Sequence, residues 1–215
     1  MERRTEARTG IPAEELGERR ERLLEHVGQQ GLSGYVLFGA DYIQYFTGFW
    51  FLSNERPVVY AESVGGESAV FVPEFEIERT RAEASFARVE SYPEYPGTEH
   101  PMTILARVLA DLGIAGRVGA DEDGYPGIFG YKGPTLSAVA DASVTPLGDV
   151  IEAMMARKSQ TEVALIRESG RWCAHAHQLL QKYSRPGATE AEASLRASHE
   201  ATLAMLEELG DGYGG

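Results

Sequence analysis

The sequence lacks the features that mark disulfide-rich, metal-binding, exported and membrane proteins. Cys173 is the only cysteine among 215 residues, which excludes an internal disulfide and a multi-cysteine zinc site. No apolar run approaches the roughly 20 residues that span a bilayer, and no apolar stretch follows Met1. We therefore expect no membrane partner and no secretory signal, and a reducing, cytoplasmic location.

Basic residues are also scarce relative to acidic ones. The chain has 20 Lys and Arg against 33 Asp and Glu, so its formal net charge is −13. Nucleic-acid binding depends on clustered cations that displace counterions from phosphates, and this balance opposes it. The sequence therefore predicts no nucleic-acid partner.

Four common catalytic and nucleotide-binding signatures are missing as well. The patterns G-x-x-x-x-G-K-[ST], G-x-G-x-x-G, G-x-S-x-G and H-E-x-x-H do not occur. Their absence excludes the usual phosphate, dinucleotide, serine-hydrolase and zincin sites. Hydrophobic residues make up 43% of the chain, as in ordinary globular proteins, so a sizeable core is still expected.

Helical and strand patterns alternate up to residue 147. Apolar stripes predict helices after Pro12, after Asp41 as the helix cap, and over residues 74–84, 102–112 and 136–140. Gly65-Gly66 predicts a hairpin. The predicted strands cover residues 35–38, 57–60, 68–72, 86–92, 117–120 and 143–147. This alternation predicts an α/β fold with a mixed sheet flanked by helices.

After residue 147 the strand patterns stop and helix starts follow one another. Three pairs have the spacing of a capping box, namely Asp149 with Glu152, Ser159 with Glu162, and Thr189 with Glu192. We predict a disordered leader over residues 1–10, an α/β domain over 11–150 and a helical segment over 151–215. The change from alternating strand and helix patterns to helix patterns alone places the boundary between residues 147 and 158.

One cluster resembles a metal site by composition alone. Cys173, His175 and His177 lie close in sequence, but on a helix His175 lies about 200° round from Cys173. Three ligands cannot converge from these positions. The apolar spacing favours a packed face that contains Cys173 and His177 over a metal role.

The other candidate residues have simple explanations. Asp121, Glu122 and Asp123 follow a predicted strand and either hold a cation or form a solvated turn, and we favour the turn. His100 and His199 are expected to face solvent.

Three segments resemble motifs of the creatinase, prolidase and Xaa-Pro aminopeptidase family. Residues 42–49 read Y-I-Q-Y-F-T-G-F and are similar to the family's N-I-x-Y-L-T-G-F. Residues 156–162 read A-R-K-S-Q-T-E and resemble its R-x-K-S-x-x-E. Residues 185–192 read R-P-G-A-T-E-A-E and resemble its x-P-G-x-T-E-x-E. Their order and spacing extend the resemblance over nearly the whole chain, although Tyr42 replaces the usual Asn and Ser169-Gly170 stands where Ala is usual.

The resemblance implies a fold and a division of the chain. It implies a ribonuclease-H-like mixed sheet in a creatinase/prolidase N-terminal domain over residues 11–150. The opening helices of an incomplete pita-bread catalytic domain would then follow over residues 151–215.

The resemblance also implies a metal-dependent hydrolase. The family's peptidases use two divalent ions (Mn, Co or Zn), held by two Asp, one His and two Glu, to activate water against the amide before proline. Those ligands would lie beyond Gly215, so we expect no cofactor in this chain and no catalysis by the chain alone. The implied substrate is an Xaa-Pro peptide or a small guanidino compound, and the implied partner is a second copy in a homodimer.

The same resemblance suggests a substrate-binding role for residues after the T-G motif. Arg56 would pair with a substrate carboxylate through its planar guanidinium, and Trp50 or Phe51 would supply an apolar wall. The alternative, which we favour on the sequence, is that both aromatic residues are core and Arg56 forms a surface ion pair.

Three functions remain open at this point. The chain is the N-terminal portion of an Xaa-Pro peptidase or creatinase-like hydrolase that contributes to oligomerisation and substrate access, or it is a non-catalytic peptide- or protein-binding module of the same fold. A ribonuclease-H-type nuclease is the weakest of the three, because the net charge of −13 repels its substrate.

Overall fold

Strands and helices alternate through the first two thirds of a computed structural model of the chain, which describes residues 10–84, 86–94, 97–127 and 130–210. Residues Pro12–Arg157 form one compact unit, and the helices after Lys158 belong to a second unit. The predicted leader over residues 1–10 lies outside the described part except for its last residue.

The first unit contains six strands and six helices among its described residues. The strands are β1 Gly34–Leu37, β2 Val59–Ser63, β3 Ser68–Pro73, β4 Arg88–Tyr92, β5 Arg117–Ala120 and β6 Ser143–Pro146. The helices are α1 Ala13–Gln29, α2 Ala40–Thr47, α3 Ile77–Glu83, α4 Pro101–Asp111, α5 Leu136–Val139 and α6 Gly148–Ala156, and a short 3-10 turn, Glu74–Glu76, precedes α3.

The six strands form one mixed sheet in the order β4-β3-β2-β1-β5-β6. Strand β2 is antiparallel to both β1 and β3, and the β2–β3 pair is the hairpin that Gly65-Gly66 predicted. The pairs β1–β5, β5–β6 and β3–β4 are parallel. The predicted fold class, a mixed sheet flanked by helices, is confirmed.

The sheet is covered on both faces. Alternate residues of β1 enter different cores, with Val36 in a core shared with α4 and α5 and Tyr35 in a core shared with α1, α2 and α6. Every residue of β1 is buried. Such two-sided burial explains why this strand reads as a continuous apolar run rather than an alternating one.

Two predicted helix caps are wrong. Helix α2 begins at Ala40 after Gly39, so Asp41 lies inside its first turn and does not cap it. Helix α6 begins after Leu147, and within the described residues no side chain caps it, so the Asp149–Glu152 box does not form. The Glu152 carboxylate instead accepts a 2.7 Å hydrogen bond from the Tyr42 hydroxyl, which raises the pKa of Tyr42 to about 12.

The second unit is described as a helical hairpin of α7 Gln160–Tyr183 and α8 Glu190–Leu209. The Ser159–Glu162 capping box at the start of α7 is confirmed, and the Thr189 hydroxyl accepts the Glu192 amide at the start of α8. The buried residues of α8 are all small, namely Ala193, Ala197 and Ala201. Ala197 and Ala201 share a cluster with Leu179 of α7. No described helix is both long enough and apolar enough to cross a bilayer.

Substitution of Gly34, the first residue of β1, tests how closely the central strands pack. A Cβ atom there would lie 2.6 Å from the Glu62 carbonyl oxygen and 2.8 Å from Ile114 Cγ1. Because backbone cannot move aside cheaply, we expect Gly34→Ala to lower the free energy of unfolding by about 1 to 3 kcal/mol. Urea unfolding followed by Trp50 fluorescence in a Trp172→Phe background measures the effect on this unit alone.

Gly28→Ala is the matched control. Gly28 lies in α1, and a Cβ atom there has no neighbour within 4 Å. Since alanine favours a helix over glycine, this change should raise stability by about 0.5 to 1 kcal/mol. Equal effects of the two substitutions would contradict the packing described for β1.

Candidate functional site

The end of α2 explains the T-G motif in physical terms. Gly48 ends the helix with φ 73°, a left-handed conformation that glycine adopts without strain. The Thr47 hydroxyl donates to the Ile43 carbonyl at 2.6 Å and accepts the Phe49 amide at 3.0 Å. These bonds set the direction in which the chain leaves the helix.

Residues 48–58, which we call the Trp50 loop, connect α2 to β2 without helix or strand structure. Three side chains from other elements donate hydrogen bonds to its backbone carbonyls. They are Arg79 to Trp50 at 2.5 Å, Tyr125 to Asn54 at 2.9 Å and Tyr92 to Pro57 at 3.1 Å. The loop is therefore held near both ends and in the middle by groups on α3, on β4 and in the segment between β5 and α5.

The two aromatic candidates on this loop have different environments. Phe51 is only 6% exposed and stacks on Phe49 with ring centroids 5.9 Å apart. Trp50 is 54% exposed, and Leu52 is 75% exposed. Of the two predicted wall residues, only Trp50 presents its side chain to solvent.

A cleft of about 230 Å³ lies beside the loop, lined by Trp50, Leu52, Asn54, Phe75 and Arg79 among others. Phe75 is also exposed and comes from the 3-10 turn before α3. The cleft therefore combines apolar walls with the Arg79 guanidinium.

Arg56 is engaged with carboxylates of its own chain. Its Nε donates to both carboxylate oxygens of Glu94, at 2.9 and 3.0 Å, and its Nη1 donates to Glu55. Its guanidinium lies 5.7 Å from the ring centroid of Phe75, which places it next to the cleft. The Glu94 hydrogen bond raises the pKa of Arg56, so the guanidinium stays charged at every ordinary pH.

A second polar cluster is buried near β1 and β2. The hydroxyls of Tyr35 and Tyr60 both donate to Oε2 of Glu62, at 2.6 and 2.9 Å, and Arg20 Nε lies 3.9 Å from the same oxygen. Burial, followed by interaction with the partner groups, raises the pKa of both tyrosines. The cluster satisfies its own donors and acceptor, so we assign it a structural role.

The three acidic residues after β5 do not converge on a cation. The Asp121 carboxylate accepts the amides of Phe38 and Gly39 at the end of β1, and Asp123 accepts the amide and hydroxyl of Ser137. The predicted solvated turn is therefore wrong for Asp121, which is partly buried and joins two parallel strands. Burial raises the pKa of Asp121 despite its amide donors.

The predictions for Cys173, His177 and His100 also need correction. Cys173 and His177 are exposed on α7 and do not form a packed face within the described part of the second unit. His100 caps α4, because its Nδ1 accepts the Met102 amide at 3.1 Å, and burial lowers the pKa of its imidazole. His199 is exposed, as predicted. Among the described residues, no three His, Cys, Asp or Glu side chains are placed to hold a metal ion.

The sequence reasoning missed the residues that position the Trp50 loop and Arg56. Arg79, Tyr92 and Tyr125 are 29, 35 and 71 positions from the residues that they hold, and Glu94 is 38 positions from Arg56. No local spacing links such pairs. The parallel β3–β4 pairing, which extends to Tyr92, and the Tyr92–Pro57 hydrogen bond bring Glu94 near the loop.

Comparison with known proteins gives a consistent result for this part of the chain. The sequence model of the Creatinase/Prolidase N-terminal domain matches residues 19–155. No curated protein sequence matches the chain.

Solved structures share the fold. A proline dipeptidase from Streptococcus pneumoniae is 26% identical, with TM-score 0.54, and the match covers 65% of this chain and 98% of that one. A Xaa-Pro dipeptidase from Bacillus anthracis is 18% identical, with TM-score 0.67 and coverage of 88% and 49%. Dipeptidase PepE from Mycobacterium ulcerans is 19% identical, with TM-score 0.66 and coverage of 91% and 51%. The chain thus spans about half the length of the last two relatives.

We expect Asp121→Ala to destabilise the first unit. The substitution leaves two amides at the end of β1 without their acceptor, which should cost about 2 kcal/mol at pH 7, measured by urea unfolding. Glu122→Ala is the control, because Glu122 is the exposed neighbour, and it should change stability by less than about 0.5 kcal/mol.

The pH dependence of this loss has a definite sign. Because the pKa of Asp121 is raised above its usual 3.8, the folded chain holds that proton more tightly than the unfolded chain. The stability contributed by Asp121 is therefore greatest below pH 3.8 and falls as the pH rises through the folded pKa. The loss caused by Asp121→Ala should be smaller at pH 7 than at pH 4, and the reverse trend would contradict burial as the dominant influence.

Proposed function

The chain belongs to the creatinase/prolidase N-terminal domain family, and on that premise we propose that it is the N-terminal portion of a metal-dependent Xaa-Pro peptidase. The observation that carries the proposal is the family match over residues 19–155, together with solved relatives that are named as dipeptidases and are about twice as long. A peptidase is preferred to a creatinase-like hydrolase because the relatives found are named for proline or Xaa-Pro dipeptides.

The chain divides in the way that this function requires. Residues 12–157 are the accessory N-terminal domain, and α7 and α8 open the catalytic domain. Two observations support the division, namely the compact unit Pro12–Arg157 and a match to the Bacillus anthracis structure that covers 88% of the chain. That coverage exceeds the roughly two thirds of the chain in the first unit, so it extends into the helical hairpin.

The metal chemistry belongs to the other half of the peptidase. The resemblance implies two divalent ions that activate water, but the described residues offer no ligand set for them. This chain contributes binding and access rather than the reacting atoms. Its exposed Trp50 and Leu52 support a role at an interface, either with substrate or with a second copy in a homodimer.

Arg56 and Trp50 are the substrate-binding residues of this chain in the proposal. Arg56 binds the C-terminal carboxylate of an Xaa-Pro peptide, and Trp50 forms an apolar wall beside it. The exposure of Trp50, the three hydrogen bonds that hold its loop and the position of Arg56 beside the cleft support this assignment. The guanidinium has the geometry to bind a carboxylate with two parallel hydrogen bonds.

Two assays test the proposal. The purified 215-residue chain should show no metal-dependent hydrolysis of Ala-Pro, and measurable hydrolysis would overturn the division of labour. In the longer peptidase, Arg56→Ala should reduce kcat/KM for Ala-Pro by about 10- to 100-fold, through loss of a charge-assisted hydrogen bond. Trp50→Ala should reduce it by a smaller factor.

Arg88→Ala is the control for both substitutions. Arg88 forms an exposed ion pair with Glu90 on β4. It removes the same charge without touching the proposed site. If Arg88→Ala and Arg56→Ala have the same effect, the loss reflects net charge and the proposed role of Arg56 is wrong.

A further inference from the structure

We propose that Glu94 is a positioning residue that occupies the Arg56 guanidinium until a substrate carboxylate replaces it. The inference rests on the substrate-binding role of Arg56 proposed above. Glu94 is then an internal competitor, and its strength sets the concentration at which a free C-terminal carboxylate binds.

The geometry is that of a stand-in for substrate. Both oxygens of Glu94 accept from Arg56 Nε, at 2.9 and 3.0 Å, and Glu55 accepts from Nη1. Glu94 thus accepts the Nε donor, which is one of the groups that a peptide carboxylate would use. A carboxylate that approaches the Nε side of the guanidinium must displace Glu94.

The pair is exposed enough to exchange. The side chains of Arg56 and Glu94 are 27% and 35% exposed, so water reaches both partners. Ion pairs in such surroundings are weak, because hydration compensates each charge when the pair opens. Glu94 therefore holds the guanidinium in a defined place but releases it at small cost.

The backbone around Arg56 is held by hydrogen bonds, so exchange requires no movement of that segment. The Arg56 amide donates to Asn54 Oδ1 at 2.8 Å, and the neighbouring Pro57 carbonyl accepts the Tyr92 hydroxyl. Glu94 lies two residues after Tyr92, the last residue of β4. The same tyrosine thus links the segment that carries Arg56 to the strand that leads to Glu94.

Competition of this kind has a predictable size. The apparent dissociation constant equals the intrinsic value divided by the fraction of Arg56 that is free to bind. Because an exposed ion pair is weak, the reduced fraction of free Arg56 should raise the apparent dissociation constant of the substrate about two- to fivefold. A neutral amide depends far less on a guanidinium than a carboxylate does, so its binding should barely change.

The test is steady-state kinetics of the longer peptidase with Ala-Pro and with Ala-Pro amide. Glu94→Gln should lower KM for Ala-Pro about two- to fivefold with kcat unchanged, and should alter KM for the amide by less than about 1.5-fold. Glu90→Gln, which neutralises an exposed partner of Arg88 on the preceding strand, is the matched control and should leave both values unchanged.

A double substitution separates competition from structural support. In an Arg56→Ala background, Glu94→Gln should have no effect on KM, because no guanidinium remains for which Glu94 and the substrate carboxylate could compete. An effect that persists in this background would show that Glu94 acts through the fold and would overturn the inference.

The two proposals fail in different ways. If Arg56→Ala raises KM but Glu94→Gln leaves it unchanged or raises it, the role of Arg56 stands and that of Glu94 is wrong. If Arg56→Ala changes neither substrate's KM, the substrate-binding role of Arg56 is wrong, and the role of Glu94 fails with it.

Discussion

The burial of β1 on both faces is the constraint on which the rest of the structure depends. A strand with no solvent-facing side must satisfy all its backbone groups within the sheet, and β1 does so through antiparallel β2 and parallel β5. Just after the strand, the amides of Phe38 and Gly39 donate hydrogen bonds to the Asp121 carboxylate. The chain leaves the sheet at this end of β1 and continues into α2 and the Trp50 loop.

The sequence predicted this architecture well because its signals are local. Continuous apolar runs identified the buried strands, helical spacing identified α1 and α4, and Gly65-Gly66 identified the hairpin. Caps were less predictable, because a carboxylate has several possible partners. Glu152 has the spacing of a capping box with Asp149, yet it binds Tyr42, which lies 110 positions away. At Ser159 both hydrogen bonds of the box are present, and the predicted cap forms.

The candidate site was less accessible to sequence reasoning. The T-G motif located the loop. Its glycine adopts the left-handed conformation that ends the helix, and the hydroxyl of its threonine bonds to the helix backbone, so the two residues are recognisable in the sequence. The sequence does not show which of the two aromatic side chains faces solvent, because Trp50 and Phe51 are adjacent and both are aromatic. The inward position of Phe51 follows from its stacking on Phe49, a tertiary contact. The environment of Arg56 likewise depends on residues brought close by strand pairing.

The contact between α7 and α8 limits which substitutions this hairpin can accept among homologues. Alanines at every fourth position form the buried side of α8, while Leu195 and Leu203 are exposed within the unit. Natural variation should follow this spacing: positions 193, 197 and 201 should keep small residues, whereas exposed positions such as 195 and 203 should vary more widely. A homologue with a bulky residue at any of those three places would have to splay its helices, and a compensating reduction in size on α7 would be expected beside it.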